Sequence, residues 1–457
     1  MRFLIYGLIV LAPLPFASAR PVWQWLWVVT VGAMAIVHLF NTARAPTVTW
    51  PLSILWAFSL VGIFALWGFS QALLPVGDVA SIGVLPVDQL LAQSGKVSVD
   101  PTKTITNAIF YLSHFVFFVL VYVFSTKRAK AVQLILFCGI IVCIYAAYGF
   151  IVFVSGDETI LWLEKRASIG ALTSTFVNRN SFAAFAGLGL QCLIAYAYFW
   201  AQAVLPKGQI GQELNQHNLE TILTKVWWLP LAIILTATAL LLTHSRAGFL
   251  SVMIAVFMLL VLSPSSYRRV GRNWSTLFGA IIAVAIVVGL FSLSGKVLES
   301  RLMLDTNFDQ RLSVYPIILD AIADRPLTGF GLGTFDNVFR IYRDETISLY
   351  FDRAHSDYLE LALTAGILAT ALIIVTITVL LGFLASSLSV GIQYRSFIAL
   401  GITTTIQLAL HSLVDFSLQI PAVSYMWCAI LAVSAALAAK CKNAEMVIPP
   451  IIKGTHE

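Results

Sequence analysis

Three basic side chains stand where a polar residue is expensive. His355 sits in AHSDYLELALTAG, at the threshold of a long apolar run. Arg246 sits in LLTHSRAGFL, between two apolar runs with almost no loop. Arg311 opens the polar stretch RLSVYPIILDAIADRP. A helix N-terminus disfavours an imidazolium, so a histidine just ahead of one stays neutral and available as a proton acceptor. An arginine at the edge of hydrocarbon asks for an anionic partner, and a phosphate offers it a bidentate fit; snorkelling to lipid headgroups is the simpler alternative. Arg311 taken alone fits a solvated or headgroup contact. Asp357 and Glu360 have capping-box spacing, which makes Asp357 a helix cap rather than a catalytic partner. Arg179 and Asn180, in TFVNRNSF, are weaker candidates, since a polar tripeptide at a span's edge commonly anchors it at the interface.

The elements that must position these residues are membrane spans. Hydrophobic residues make up 59% of the 457 and charged residues only 11%, with a mean hydropathy of +0.88, which excludes an ordinary soluble domain. The formal charge of +6 is dispersed over short loops and argues against nucleic acid as a partner. Cys138, Cys143, Cys192, Cys428 and Cys441 form no CxxC pair, so neither a disulfide framework nor a metal site is expected. Apolar runs near 3–17, 22–40, 51–74, 105–124, 132–154 and 181–204, then 227–242, 248–262, 276–293, 358–385, 397–410 and 420–439, give about twelve candidate spans. The first resembles a signal peptide ending at Ala17-Ser18-Ala19, but a second apolar run follows at once, so a retained helix is expected.

The fold class expected is therefore an all-α polytopic membrane protein. Residues 1–294 would hold nine transmembrane helices with short loops. Residues 295–355 would form one long extracytoplasmic loop with amphipathic helices, and 356–457 three further helices and a cytoplasmic tail. Within the long loop, Leu312, Tyr315, Leu319 and Ile322 recur at helical spacing, and Pro316 should bend that helix or limit it to two short turns. GFGLGTF lacks a preceding strand and a GK[ST] ending, so it reads as a flexible turn after Arg325-Pro326 and not as a phosphate cradle.

At these positions the chain resembles the O-antigen ligase and O-antigen polymerase superfamily of bacterial membrane glycosyltransferases. The pieces that match are TFVNRNSFAAF, THSRAG, RLSVYPIILDAIADRPLTGFGLGTF, AHSDYLELALTAG and HSLVDFSLQIP, in order over roughly the C-terminal two thirds. The family typically has an asparagine after the histidine, where this chain has Ser356-Asp357. The resemblance implies a GT-C-like enzyme that takes a glycan from undecaprenyl diphosphate, with inversion and without metal or other cofactor. The acceptor would be lipid A core for a ligase, or a growing polysaccharide for a polymerase. His355 would be the base, while Arg246 and Arg311 would grip the diphosphate. Transfer would occur at the periplasmic face of the bacterial inner membrane. A small-anion transporter is a third reading, against which the halves show no internal symmetry.

Orientation follows from the basic loops. Lys127, Arg128 and Lys130, then Arg268, Arg269 and Arg272, then Lys440 and Lys442 fall on one side, which the positive-inside rule makes cytoplasmic. Cysteines introduced at Ser313 and Thr346 should therefore react with an impermeant thiol reagent in intact spheroplasts. One at Ser266 should react only after permeabilisation, and the reverse pattern would overturn the orientation.

Overall fold

The computed structural model describes residues 1–42, 48, 50–75, 87–204, 224–263, 306–343, 347, 351–390 and 392–447. The expected span at 276–293 and the basic loop of Arg268, Arg269 and Arg272 lie outside them, as do the side chain of Arg311 and those of its neighbours up to Leu312.

The first half builds α1 (Arg2–Leu11), α2 (Pro21–Thr42), α3 (Leu52–Leu73), α4 (Asp88–Ser94), α5 (Pro101–Ser125), α6 (Arg128–Val154) and α7 (Arg179–Val204), with a two-stranded hairpin at Thr159–Ile160 and Leu163–Glu164. The second half builds α8 (Trp228–Leu242), α9 (Arg246–Leu262), α10 (Thr306–Asp324), α11 (Phe335–Tyr342), α12 (Asp357–Ala365), α13 (Ile367–Ser387), α14 (Arg395–His411) and α15 (Pro421–Val447). Seven of the described helices, α2, α3, α5, α6, α7, α13 and α15, are long and apolar enough to cross a membrane; α1, α8 and α9 are apolar but shorter. Helices satisfy their own backbone polar groups, which is why apolar sequence at this length adopts them.

α15 lies at the centre of the bundle, with 94% of its apolar window buried by protein instead of being left to lipid. α14 packs beside it and carries Thr403, Thr404, Thr405 and Gln407, all buried. Those hydroxyls are tolerated because each donates to a backbone carbonyl three or four residues earlier, as Thr404 does to Leu400 O at 2.7 Å. Of the basic residues expected to share one side, those near 128 and 440 meet at one end of the bundle. Lys440 Nζ donates to Thr126 O at 3.0 Å, and the Arg128 guanidinium lies 5.3 Å from the Tyr394 ring centroid.

At the opposite end a second apolar core joins α4, α10, α11 and α12 through Leu91, Val314, Ile318, Phe335, Val338 and Leu363. Five sequence expectations change in the structure. The first helix stops at Leu11 instead of reaching residue 17, because Pro13 and Pro15 lack the N–H groups a helix needs. α10 runs unbroken through Pro316, since burial of Val314, Ile318, Ala321 and Ile322 outweighs one missing bond, and Leu319 faces out at 53% exposure.

The run 358–385 is two helices, broken at Gly366, whose φ is +88°. The loop after α10 fills that break: Ile367 N donates to Pro326 O at 2.7 Å, Phe330 N to Leu363 O at 3.1 Å and Gly331 N to Thr364 O at 2.8 Å. GFGLGTF is therefore a tightly seated turn and not a flexible one. Gln71 Nε2 clasps it, donating to Thr328 O at 2.7 Å and Thr364 O at 2.9 Å.

Gly331 has φ +109°, and a methyl added there would meet Ser98 Oγ and Thr104 Oγ1. Gly95 also has a positive φ, +62°, but open space around it. Gly331→Ala should lower the unfolding temperature in detergent well beyond Gly95→Ala, because only the first adds a steric clash to the roughly 1–3 kcal/mol of backbone strain. Equal losses in the two variants would contradict the seated turn.

Candidate active site

Four segments far apart in sequence come together where α7, α9, α12 and α15 begin and α8 and α14 end. The turn between α8 and α9 is built from side chains. Thr243 Oγ1 donates to Leu240 O at 2.7 Å and accepts from Ser245 N at 3.1 Å. His244 takes a left-handed φ of 53°, a strained conformation for a residue with a Cβ. Ser245 caps α9 by accepting from Gly248 N at 3.2 Å and donates its hydroxyl proton to Asn180 Oδ1 at 2.8 Å. Arg246 follows at the first position of α9, with an exposed side chain.

Asn180 in turn donates from Nδ2 to Asp415 Oδ1 at 3.2 Å. Asp415 is fully buried, and Ser417 Oγ donates to its other oxygen. Its backbone carbonyl and that of Ser412 share the N–H of Asp357, at 3.3 Å and 3.0 Å. Ser412 Oγ donates to Asp357 Oδ2 at 2.7 Å, and Gln419 Nε2 to Asp357 Oδ1 at 3.0 Å. One continuous network thus runs from the α8–α9 turn through the start of α7 and the α14–α15 turn to the start of α12.

Asp357 is not the cap of α12. Ser356 is, accepting from Leu359 N at 3.5 Å, while the carboxylate of Asp357 turns sideways to its partners from residues 412 and 419. Glu360 takes up the reaching-back role, accepting from Ala354 N at 2.9 Å and pairing with Arg353 Nη1 at 3.2 Å. Burial pushes the Asp357 carboxyl up to about 7, the bonds from Ser412 and Gln419 opposing it and the charges of Glu360 and Asp415 adding to it.

His355 precedes this network by two residues and is half-buried. It also has a left-handed φ, 52°, and its carbonyl accepts from Tyr315 Oη of α10 at 3.0 Å. Its ring packs edge-on against Phe416, 5.1 Å between centroids, and Phe351, 5.9 Å. Because Phe416 lies between Asp415 and Ser417, the imidazole is seated on the network's own turn. Arg179 is half-buried at the first position of α7, its N–H donating to Ser168 Oγ at 3.3 Å. The backbone of Arg311 lies in α10.

The sequence residues His355, Asp357, Asn180 and the turn bearing Arg246 are thus brought together. Asp415, Ser412, Gln419 and Ser245 were not singled out from sequence as site residues, although HSLVDFSLQIP and THSRAG hold all of them. Among the described residues, no group of three or more His, Cys, Asp or Glu side chains is placed to hold a metal ion.

Residues 231–374 match the family model described as O-antigen ligase. The match covers the α8–α9 turn, α10 and the His355 turn, whereas Asn180 and the turn from Ser412 to Gln419 lie outside it. No curated protein gives a significant match to the chain.

Because the carboxyl of Asp357 lies above its ordinary 3.8 in the folded protein, the folded state holds that proton more tightly than the unfolded chain. The group's stabilising contribution is complete below pH 3.8 and is lost as pH rises through about 7. Asp357→Asn cannot ionise, so its unfolding temperature should fall less than the wild type's over that window. Parallel curves would mean that the carboxyl titrates normally.

Proposed function

We propose that this chain, a member of the O-antigen ligase and polymerase superfamily by its 231–374 domain, is a glycosyltransferase acting at the outer face of the inner membrane. It moves a glycan from undecaprenyl diphosphate to an acceptor hydroxyl, and acts as an O-antigen ligase in lipopolysaccharide assembly. The observation that carries this reading is the convergence of the THSR, NRNS, AHSD and HSLVDFSLQ segments on one hydrogen-bonded network, with His355 seated against it.

In the reaction the acceptor oxygen attacks the anomeric carbon while the bond to the diphosphate oxygen breaks. His355 takes the acceptor's proton and the bond's electron pair leaves with the diphosphate, inverting the anomeric centre. In this reading Arg246, exposed at the first position of α9, meets the leaving group's negative charge, and Arg311 is assigned the same role. Charge neutralisation by two guanidiniums requires no metal ion. Asn180 and Asp357 serve this site by shaping the two turns, while Arg179, at the first position of α7, is a further cation.

His355→Ala should lose about 10²–10⁴ in rate while inserting and binding donor lipid normally, and His355→Gln should be equally defective. Purified His355→Ala enzyme working at the wild-type rate would remove the base assignment. Arg246→Lys keeps the charge but not the bidentate fork; loss of such a contact costs roughly 30- to 1,000-fold in rate. Full activity in both Arg246→Lys and Arg246→Ala would reduce Arg246 to an interface anchor. What accumulates in a deletion strain separates the acceptors. Long lipid-linked chains identify a ligase, and single lipid-linked repeats identify a polymerase.

A further inference from the structure

Just beneath the network, α7 and α14 run antiparallel, and two contacts set their register. Toward the middle of the bundle Gln407 Nε2 donates to Ala184 O at 2.9 Å. At the mouth Asn180 Nδ2 donates to Asp415 Oδ1 at 3.2 Å. One helical turn outward from Ala184 is Ser181, and one turn outward from Gln407 is His411. These two side chains therefore stand at the same level, between the two contacts.

Both residues are buried, each with 1% of its surface exposed. Neither Ser181 Oγ nor either ring nitrogen of His411 has a hydrogen-bond partner among the described residues. The buried carboxylate of Asp415 follows His411 by four residues, in the turn that Val414 N closes on His411 O at 3.1 Å. It receives bonds from Asn180 and Ser417, fewer than its lone pairs can accept. Buried polar groups without partners are rare because each has given up its bonds to water. A neutral imidazole offers one donor and one acceptor, a serine hydroxyl offers both, and a carboxylate accepts. Water, with two protons and two lone pairs, is the small molecule that complements such a set.

We infer that Ser181, His411 and Asp415 enclose an internal water site, and that His411 is a positioning residue acting through it. The water steadies Asp415, Asp415 holds Asn180, and Asn180 holds Ser245 and with it the turn that presents Arg246. The water site stands on geometry alone; its effect on turnover rests on the transferase reading.

Thermal unfolding of Ser181→Ala, His411→Phe and the double variant tests the site. Phenylalanine keeps a ring without hydrogen bonding. A shared water makes the cycle non-additive, the second substitution adding less than roughly half of the loss it causes alone. Additive losses overturn the site. In turnover of lipid-linked glycan, His411→Phe should lower kcat roughly tenfold, the scale of one hydrogen bond in a dry site, with the donor KM unchanged. His411→Gln, which can bond the water, should recover most of that loss. Wild-type turnover in His411→Phe, or no recovery in His411→Gln, overturns the positioning role. Wild-type protein assayed alongside separates the two readings. No turnover of lipid-linked glycan there defeats the transferase reading, while the unfolding cycle still judges the water site.

Discussion

A carboxylate withdrawn from water has to be reached by hydrogen-bond donors from several sides, and Asp415 and Asp357 impose that condition on the site end of this bundle. Their donors come from the start of α7 and from the turn between α14 and α15, whose carbonyls in turn hold the N–H of Asp357 at the start of α12. These can arrive only if helices distant in sequence end at one level. The nearly loopless α8–α9 turn is drawn into the same plane by Ser245. Shifting any one helix by a turn would leave a buried charge short of donors, so the network acts as a register gauge for the whole bundle.

Lipid-facing apolar surface has no such discrimination, because one leucine contact with hydrocarbon is much like another. Specificity within the membrane comes from the few polar side chains buried there. Gln191 Nε2 donates to Gln407 Oε1 at 2.6 Å, and Gln407 passes the linkage on to Ala184 O. His114, between α5 and α15, bonds Phe110 O at 2.8 Å and Ser424 Oγ at 2.7 Å and stacks on Tyr425. These interlocks hold α5, α7, α14 and α15 in fixed relation, and the site network inherits that rigidity.

The second core, around α10, α11 and α12, serves a different end. It fixes the turn carrying His355 from the outer side, through Tyr315 and the burial of Phe351 and Ala354. His244 and His355 both adopt left-handed backbone conformations, each at a turn between polar network and helix. Strain of this kind persists only where surrounding structure over-determines it. Both turns adjoin the same hydrogen-bonded network.

How much of this was legible in sequence divides along physical lines. The long helices could be read directly, since the hydrocarbon core of a bilayer demands roughly twenty apolar residues with self-satisfied backbone. The clustering of basic residues at one end followed from their loops. His355 and the THSR turn stood out because polar residues at the edge of hydrocarbon are costly wherever they occur. Local rules failed where a distant partner competed. Asp357 has the spacing of a cap, but Ser412 and Gln419, 55 and 62 residues away, draw its carboxylate aside and leave capping to Ser356. Gly366 breaks an apolar run that hydropathy reads as continuous, because the backbone after Pro326 supplies the hydrogen bonds that make a break tolerable. Residue type and hydropathy thus determined which groups were available and where the spans lay. Only the tertiary structure decided which groups meet, because a hydrogen bond between helix ends depends on the packing of whole helices and leaves no trace in local spacing.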